Sequence, residues 1–150
     1  MNTLFLHCRP GFEGEVCSEM SEHAARLGVA GYAKAKPQTA CAEFVCNDAE
    51  GAERIMRELR FNQLIFPRQW ARGSFVELPE TDRISVLLEH LADYPVAGSL
   101  WLEVMDSNDG KELSTFCRKF EGPLRKALVK AGRLVENGAG APLLLTFVSA

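Results

Sequence analysis

The spacing of apolar residues over the first 75 positions leaves few folds open, because it changes period in one particular order. Thr3–Cys8 is a short apolar run halted by Arg9-Pro10-Gly11, the composition of a strand entering a turn. Val16, Met20, Ala24 and Leu27 then recur at three- and four-residue steps, and Gly28 follows where a helix takes a left-handed cap. Ala30–Lys36 and Ala40–Cys46 flank Pro37-Gln38-Thr39, and the second run alternates as a hairpin strand does. Ala52, Ile55, Met56 and Leu59 make one helical stripe behind a capping Asn47 or Asp48. Leu64–Trp70 reads as a further strand, interrupted at Pro67 and so at an edge or a bulge. The order β-α-β-β-α-β is the split unit of ferredoxin-like folds.

The remainder predicts a different piece. Thr81 is placed to cap a helix bearing Ile84, Leu87, Leu88 and Leu91, which stops before Pro95, and Leu100–Met105 reads as a strand. Asp109 and Glu112 have capping-box spacing for a helix with Leu113, Phe116, Cys117 and Phe120 on one face. Gly122 is expected to end that helix and Pro123 to begin another, carrying Leu124, Leu128 and Ala131 inward. Leu143–Val148 is apolar without alternation, as for a parallel strand covered on both sides. The expected fold class is α+β: a ferredoxin-like βαββαβ segment at 1–78, then an αβααβ core at 79–150.

Length and composition describe an ordinary globular protein, with 150 residues that are 47% hydrophobic and 25% charged. No basic leader, signal-length apolar run or stretch of membrane-spanning length is visible, so the expectation is a cytoplasmic protein without a membrane partner. Cys8, Cys17, Cys41, Cys46 and Cys117 form no C-x-x-C pair, and His7, His23 and His90 lie far apart; reduced, mostly core thiols and no metal are expected. Asp106-Ser107-Asn108-Asp109-Gly110 resembles a calcium loop but places glycine fifth and lacks the closing glutamate. No phosphate-binding glycine loop, nucleophile elbow or histidine triad spacing occurs, so no catalytic residue is assigned.

Net charge is -3, yet residues 111–150 carry 7 basic and 3 acidic side chains while 61–110 carry 3 and 8. Lys111, Lys119, Arg125, Lys126, Lys130 and Arg133 fall away from the apolar helix stripes, which suits phosphate contacts; a solvated helix face is the plain alternative. Arg68 and Arg72 flank Trp70 and would extend such a patch, with the indole either stacking on a base or packed in the core.

Three blocks carry a resemblance that spacing alone does not supply: CRPGFEGE at 8–15, LIFPRQW at 64–70 and DSNDGKELSTFCRKFEGPLRKALVKAG at 106–132. They are similar to the amino-terminal half of the large-subunit rRNA ribose methyltransferase M family, which methylates a cytidine 2'-hydroxyl of 23S rRNA. The resemblance implies a ferredoxin-like segment followed by a THUMP core that positions 23S rRNA. It also implies that the S-adenosylmethionine-binding, Rossmann-like catalytic domain lies after residue 150 as an intramolecular partner, and that this chain holds no cofactor. It places Lys111, Arg118, Lys119 and Arg125 in the matched block, with Arg118 beside inward-facing Cys117 as a candidate buried ion-pair residue; Lys126 and Lys130 rest on charge alone. Rival expectations are a small-molecule regulatory module, an acylphosphatase-like hydrolase using Arg9 but lacking the glycine-rich loop, or a docking piece without RNA contact.

Overall fold

The computed structural model describes residues 2–148, which form two compact units. The first comprises residues up to Ser74 together with Met105–Ser107, and the second Phe75–Val104 with the residues from Asn108 onward.

In the first unit, β1 (Thr3–His7), β2 (Gly31–Ala35), β3 (Cys41–Cys46) and β4 (Gln69–Gly73) form an antiparallel sheet in the order β2-β3-β1-β4. Helices α1 (Glu13–Leu27) and α2 (Gly51–Glu58) connect the strands in the expected βαββαβ sequence. Leu4 and Leu6 of β1 and Ala42, Phe44 and Cys46 of β3 are buried, whereas the alternate residues are half-buried. The period-2 pattern therefore puts one face of the sheet under Val16, Met20 and Ala24 of α1 and Ala52 and Ile55 of α2. Gly28 ends α1 in the left-handed conformation, φ 72°, as expected.

The strand expected over Leu64–Trp70 starts five residues later, at Gln69. The cause is a carboxylate. Glu19 of α1 accepts the main-chain N–H of Ile65 at 2.7 Å and of Phe66 at 3.1 Å, and Pro67 has no N–H, so three consecutive residues have no donor for a ladder. Helix α2 starts at Gly51 behind Glu50, without a side-chain cap from Asn47 or Asp48.

In the second unit, β5 (Ser99–Val104) and β6 (Pro142–Phe147) pair in parallel, as expected of the final strand. They pack against α3 (Arg83–His90) and α5 (Ser114–Lys130) through Leu87, Leu91, Leu100, Phe120, Leu124 and Leu128, with Leu143, Leu145 and Phe147 on the same side. The order α-β-α-α-β stands, but the helices divide elsewhere. A single short turn, α4 (Asn108–Lys111), precedes α5, and α5 runs unbroken through Gly122 and Pro123. Thr81 does not cap α3; Asp82 precedes it at φ 56°. Burial explains the continuous α5: Phe120 and fully buried Leu124 lie on either side of the Gly-Pro pair and fix both halves to one core. Each such side chain is worth roughly 1.5–3 kcal/mol, against about 3 kcal/mol for an interior proline. Both Gly122 and Pro123 are exposed, so replacing Pro123 creates no cavity. Pro123→Ala is therefore expected to raise unfolding stability by about 2 kcal/mol, read from urea denaturation; a loss would show that the proline ring is needed.

Candidate nucleic-acid interface

Helix α5 assembles the basic surface. At 3.6 residues per turn, Lys119, Lys126 and Lys130 fall within about 40° of one another on the side opposite Cys117, Phe120, Leu124 and Leu128. Along the axis they are about 10 Å and then about 6 Å apart. All three are exposed, as is Arg118, and among the described residues none of the four makes an ion pair or hydrogen bond. Arg118 is thus not the partly buried ion-pair residue that its neighbour Cys117 suggested. Gly122 faces open space, and Pro123, having no N–H, leaves the Lys119 carbonyl without its helical donor on the same side. The only carboxylate of α5 is Glu121, and it is bound to Arg125.

The other five basic candidates behave differently. Arg125 is half-buried: its Nη2 donates to Glu121 at 2.9 Å and to the Leu100 carbonyl at 3.4 Å, while Nη1 pairs with Glu136. The bond to Glu121 and the charge of Glu136 outweigh burial and hold its guanidinium above the ordinary arginine range. It ties α5 to β5 and to the loop before β6. Lys111 is exposed, and its carbonyl accepts the Ser114 hydroxyl at 2.8 Å. In the first unit, Arg68 pairs with Asp106 at 2.9 Å and Arg72 with Glu53 of α2 at 3.1 Å. Trp70 lies on the helix-covered side of β4, packed on the core with its ring 5.2 Å from Phe61, so core packing and not base stacking is the reading the structure supports. Arg133 has Nε and Nη2 sealed from solvent with no hydrogen-bond partner, and adds nothing to the exposed face.

Two carboxylates that motif reasoning passed over organise the first unit. Glu13 is buried and accepts main-chain N–H groups from Gly11, Gln38 and Ala40 at 3.0–3.1 Å. Burial acts to raise its pKa, but these donors outweigh it and hold the carboxyl below the ordinary glutamate value. Glu19 anchors the 65–66 segment as described. The signal for Glu13 was its place behind Pro-Gly at a helix start; its distant donors left no trace in local spacing.

The five cysteines are free thiols, of which Cys8, Cys46 and Cys117 are buried; desolvation, then the Glu13 charge, pushes Cys8 up to about 11. Among the described residues no group of three or more His, Cys, Asp or Glu side chains could hold a metal ion, and no helix is long and apolar enough to cross a membrane. The turn between β1 and α1 does not fit S-adenosylmethionine. It offers no glycine-rich cradle, and its Gly11 amide is already bound by Glu13.

The fold and this helix face define a class: an α+β protein with a ferredoxin-like unit and a second unit whose long helix exposes unpaired lysines. Residues 1–71 match the RlmM ferredoxin-like domain, and residues 82–148 match the domain described as Ribosomal RNA large subunit methyltransferase M, N-terminal. The chain is 83% identical over 149 residues to the Ribosomal RNA large subunit methyltransferase M of Pseudomonas putida, covering 99% of this chain and 42% of the relative. Identity is 80% to that of Pseudomonas entomophila, with the same coverage, and 77% to that of Stutzerimonas stutzeri, covering 99% of this chain and 43% of the relative. The chain belongs to the ribosomal RNA large subunit methyltransferase M family, and it spans about two-fifths of the length of these relatives.

Proposed function

We propose that this chain is the RNA-holding, amino-terminal part of an S-adenosylmethionine-dependent methyltransferase that modifies a cytidine 2'-hydroxyl of 23S rRNA. The catalytic domain follows it, and residues 79–150 serve as the THUMP core after a ferredoxin-like segment at 1–78. The observation that carries the reading is the row Lys119, Lys126 and Lys130, exposed on one side of α5 with no carboxylate among the described residues paired to them. Unpaired ammonium groups at such intervals attract phosphates and release counterions on contact, giving affinity that depends on salt more than on base sequence. The chemistry itself requires a held cofactor in line with an activated hydroxyl, which these residues do not supply.

Arg118 extends the row. Arg125, Arg68 and Arg72 contribute less, because a phosphate would have to displace a carboxylate from each. Three lysine–phosphate contacts predict a slope of log K against log salt of roughly -2 to -3. Fluorescence anisotropy with a 23S rRNA fragment tests this. Lys119→Glu with Lys126→Glu is expected to abolish binding, whereas retained binding by the double variant would overturn the proposed face.

A further inference from the structure

The first turn of α3 sets a cation beside the lysine row of α5, from a second helix. Arg83 opens α3, and its guanidinium carbon lies over the Phe116 ring, 5.0 Å from the centroid. The ring is itself held in place: Phe120 stacks on it at 5.2 Å with 23° between the planes, and Phe147 meets it edge-on at 5.6 Å. Phe120 thus takes one face of the ring and leaves the other to Arg83. On α5, Phe116 and Lys119 are three residues apart, neighbours about 60° round the helix and about 4.5 Å along it. Phe116 therefore lies between the buried stripe of Phe120, Leu124 and Leu128 and the row Lys119, Lys126 and Lys130. Among the described residues the half-buried Arg83 side chain makes no ion pair or hydrogen bond. The neighbouring carboxylates Glu80 and Asp82 are exposed and not bound to it.

We propose that Arg83 grips a backbone phosphate of the RNA that lies along the α5 row, through two parallel N–H donors of its guanidinium. The proposal rests on the reading of that row as an RNA face. A lysine ammonium is a compact point charge on a flexible stem, whereas a guanidinium presents a planar fork that matches two phosphate oxygens. Stacking on Phe116 orders the fork before RNA arrives, so less freedom is lost on contact than at each lysine. It occupies the face of the guanidinium and leaves the in-plane N–H groups open to an acceptor. Charge complementarity selects the occupant: four cations from two helices lie together, and the one carboxylate of α5, Glu121, is bound to Arg125.

Fluorescence anisotropy across a salt series with a 23S rRNA fragment tests it. Arg83→Gln is expected to weaken binding about tenfold at fixed salt and to flatten the slope of log K against log salt by roughly 0.7–0.9, the share of one phosphate contact. Arg83→Lys keeps the charge and loses the fork, so it is expected to keep the slope and regain only part of the affinity. A residue that merely tied α3 to α5 would leave the slope where it was, and an unchanged slope in Arg83→Gln overturns the proposal. Full affinity in Arg83→Lys overturns it as well. So does a loss confined to one RNA sequence, which would make Arg83 a reader of base edges. If Lys119→Glu with Lys126→Glu abolishes binding while Arg83→Gln keeps the parent slope, the lysine row stands and Arg83 alone is misassigned; no binding by the unaltered chain overturns both.

Discussion

Glu13→Gln is expected to lower the unfolding free energy of the first unit by about 3 kcal/mol and to remove most of its sensitivity to acid. Both Glu13 oxygens are committed: Oε1 accepts from Gly11 and Gln38, and Oε2 from Gly11 and Ala40. Glutamine keeps one acceptor and turns an NH2 toward the remaining N–H, leaving a buried donor facing a donor, with each charged-acceptor bond worth roughly 1.5–3 kcal/mol. Gln38 and Ala40 also sit at φ 63° and 62°, so the carboxylate holds a hairpin turn that is costly for non-glycine residues. The folded-state pKa is depressed below the ordinary 4.5. The contribution is therefore complete above pH 4.5 and is lost as pH falls through the lower folded value. Urea unfolding from pH 7 down to about 3 checks both parts. A parent chain whose stability is flat across the acid range, or a glutamine variant with unchanged stability, would refute the clamp.

Gly98→Ala is expected to cost the second unit about 3 kcal/mol, at the upper end for overpacking. A Cβ at Gly98 would lie 2.3 Å from the Gly140 carbonyl oxygen and 3.0 Å from that of Gly138. Reciprocally, a Cβ at Gly140 would lie 2.4 Å from the Val96 carbonyl oxygen. These neighbours are backbone, with no side chain to swing aside. They are also hydrogen-bonded into place, because Gly98 N–H donates to Ala141 C=O at 3.0 Å and Ala97 N–H to Arg133 C=O at 3.0 Å. Movement of the 138–141 segment would pull β6 out of register with β5. The urea midpoint of Gly98→Ala, compared with Gly122→Ala at a site with open space around its Cβ, isolates the close approach. Equal midpoints would sink it.

The same two sites show how far local pattern reaches. Gly138-Ala139-Gly140 has the composition of a flexible loop, and only its contact with the stretch before β5 gives the glycines a steric reason. Glu13 is read locally as an acidic residue at a helix start, which is true and incomplete: two of its donors lie 25 and 27 residues away. The late start of β4 has the same origin, since Glu19 reaches 46 residues along the chain to take the Ile65 amide.

By itself the sequence determined the α+β class, the βαββαβ order, the parallel final strand, the basic third of the chain and the family resemblance. Each depends on neighbours a few residues apart or on the identity of contiguous blocks. It also placed Lys126 and Lys130 on one side of a helix, because i and i+4 share a face whatever the helix packs against, whereas Lys119 joins them only because α5 runs on through Gly122-Pro123. Tertiary structure alone decided which of the candidate cations are free. Arg68, Arg72 and Arg125 find carboxylates 38, 19 and 11 residues away, and Trp70 finds the core. It also decided that α5 runs through Gly122-Pro123, where burial on both sides outweighs the local signal to stop. The physical reason is common to these cases. Periodicity records which face of an element is apolar, while the partner of a charge, and the cost a helix will bear, are set by residues that only folding brings together.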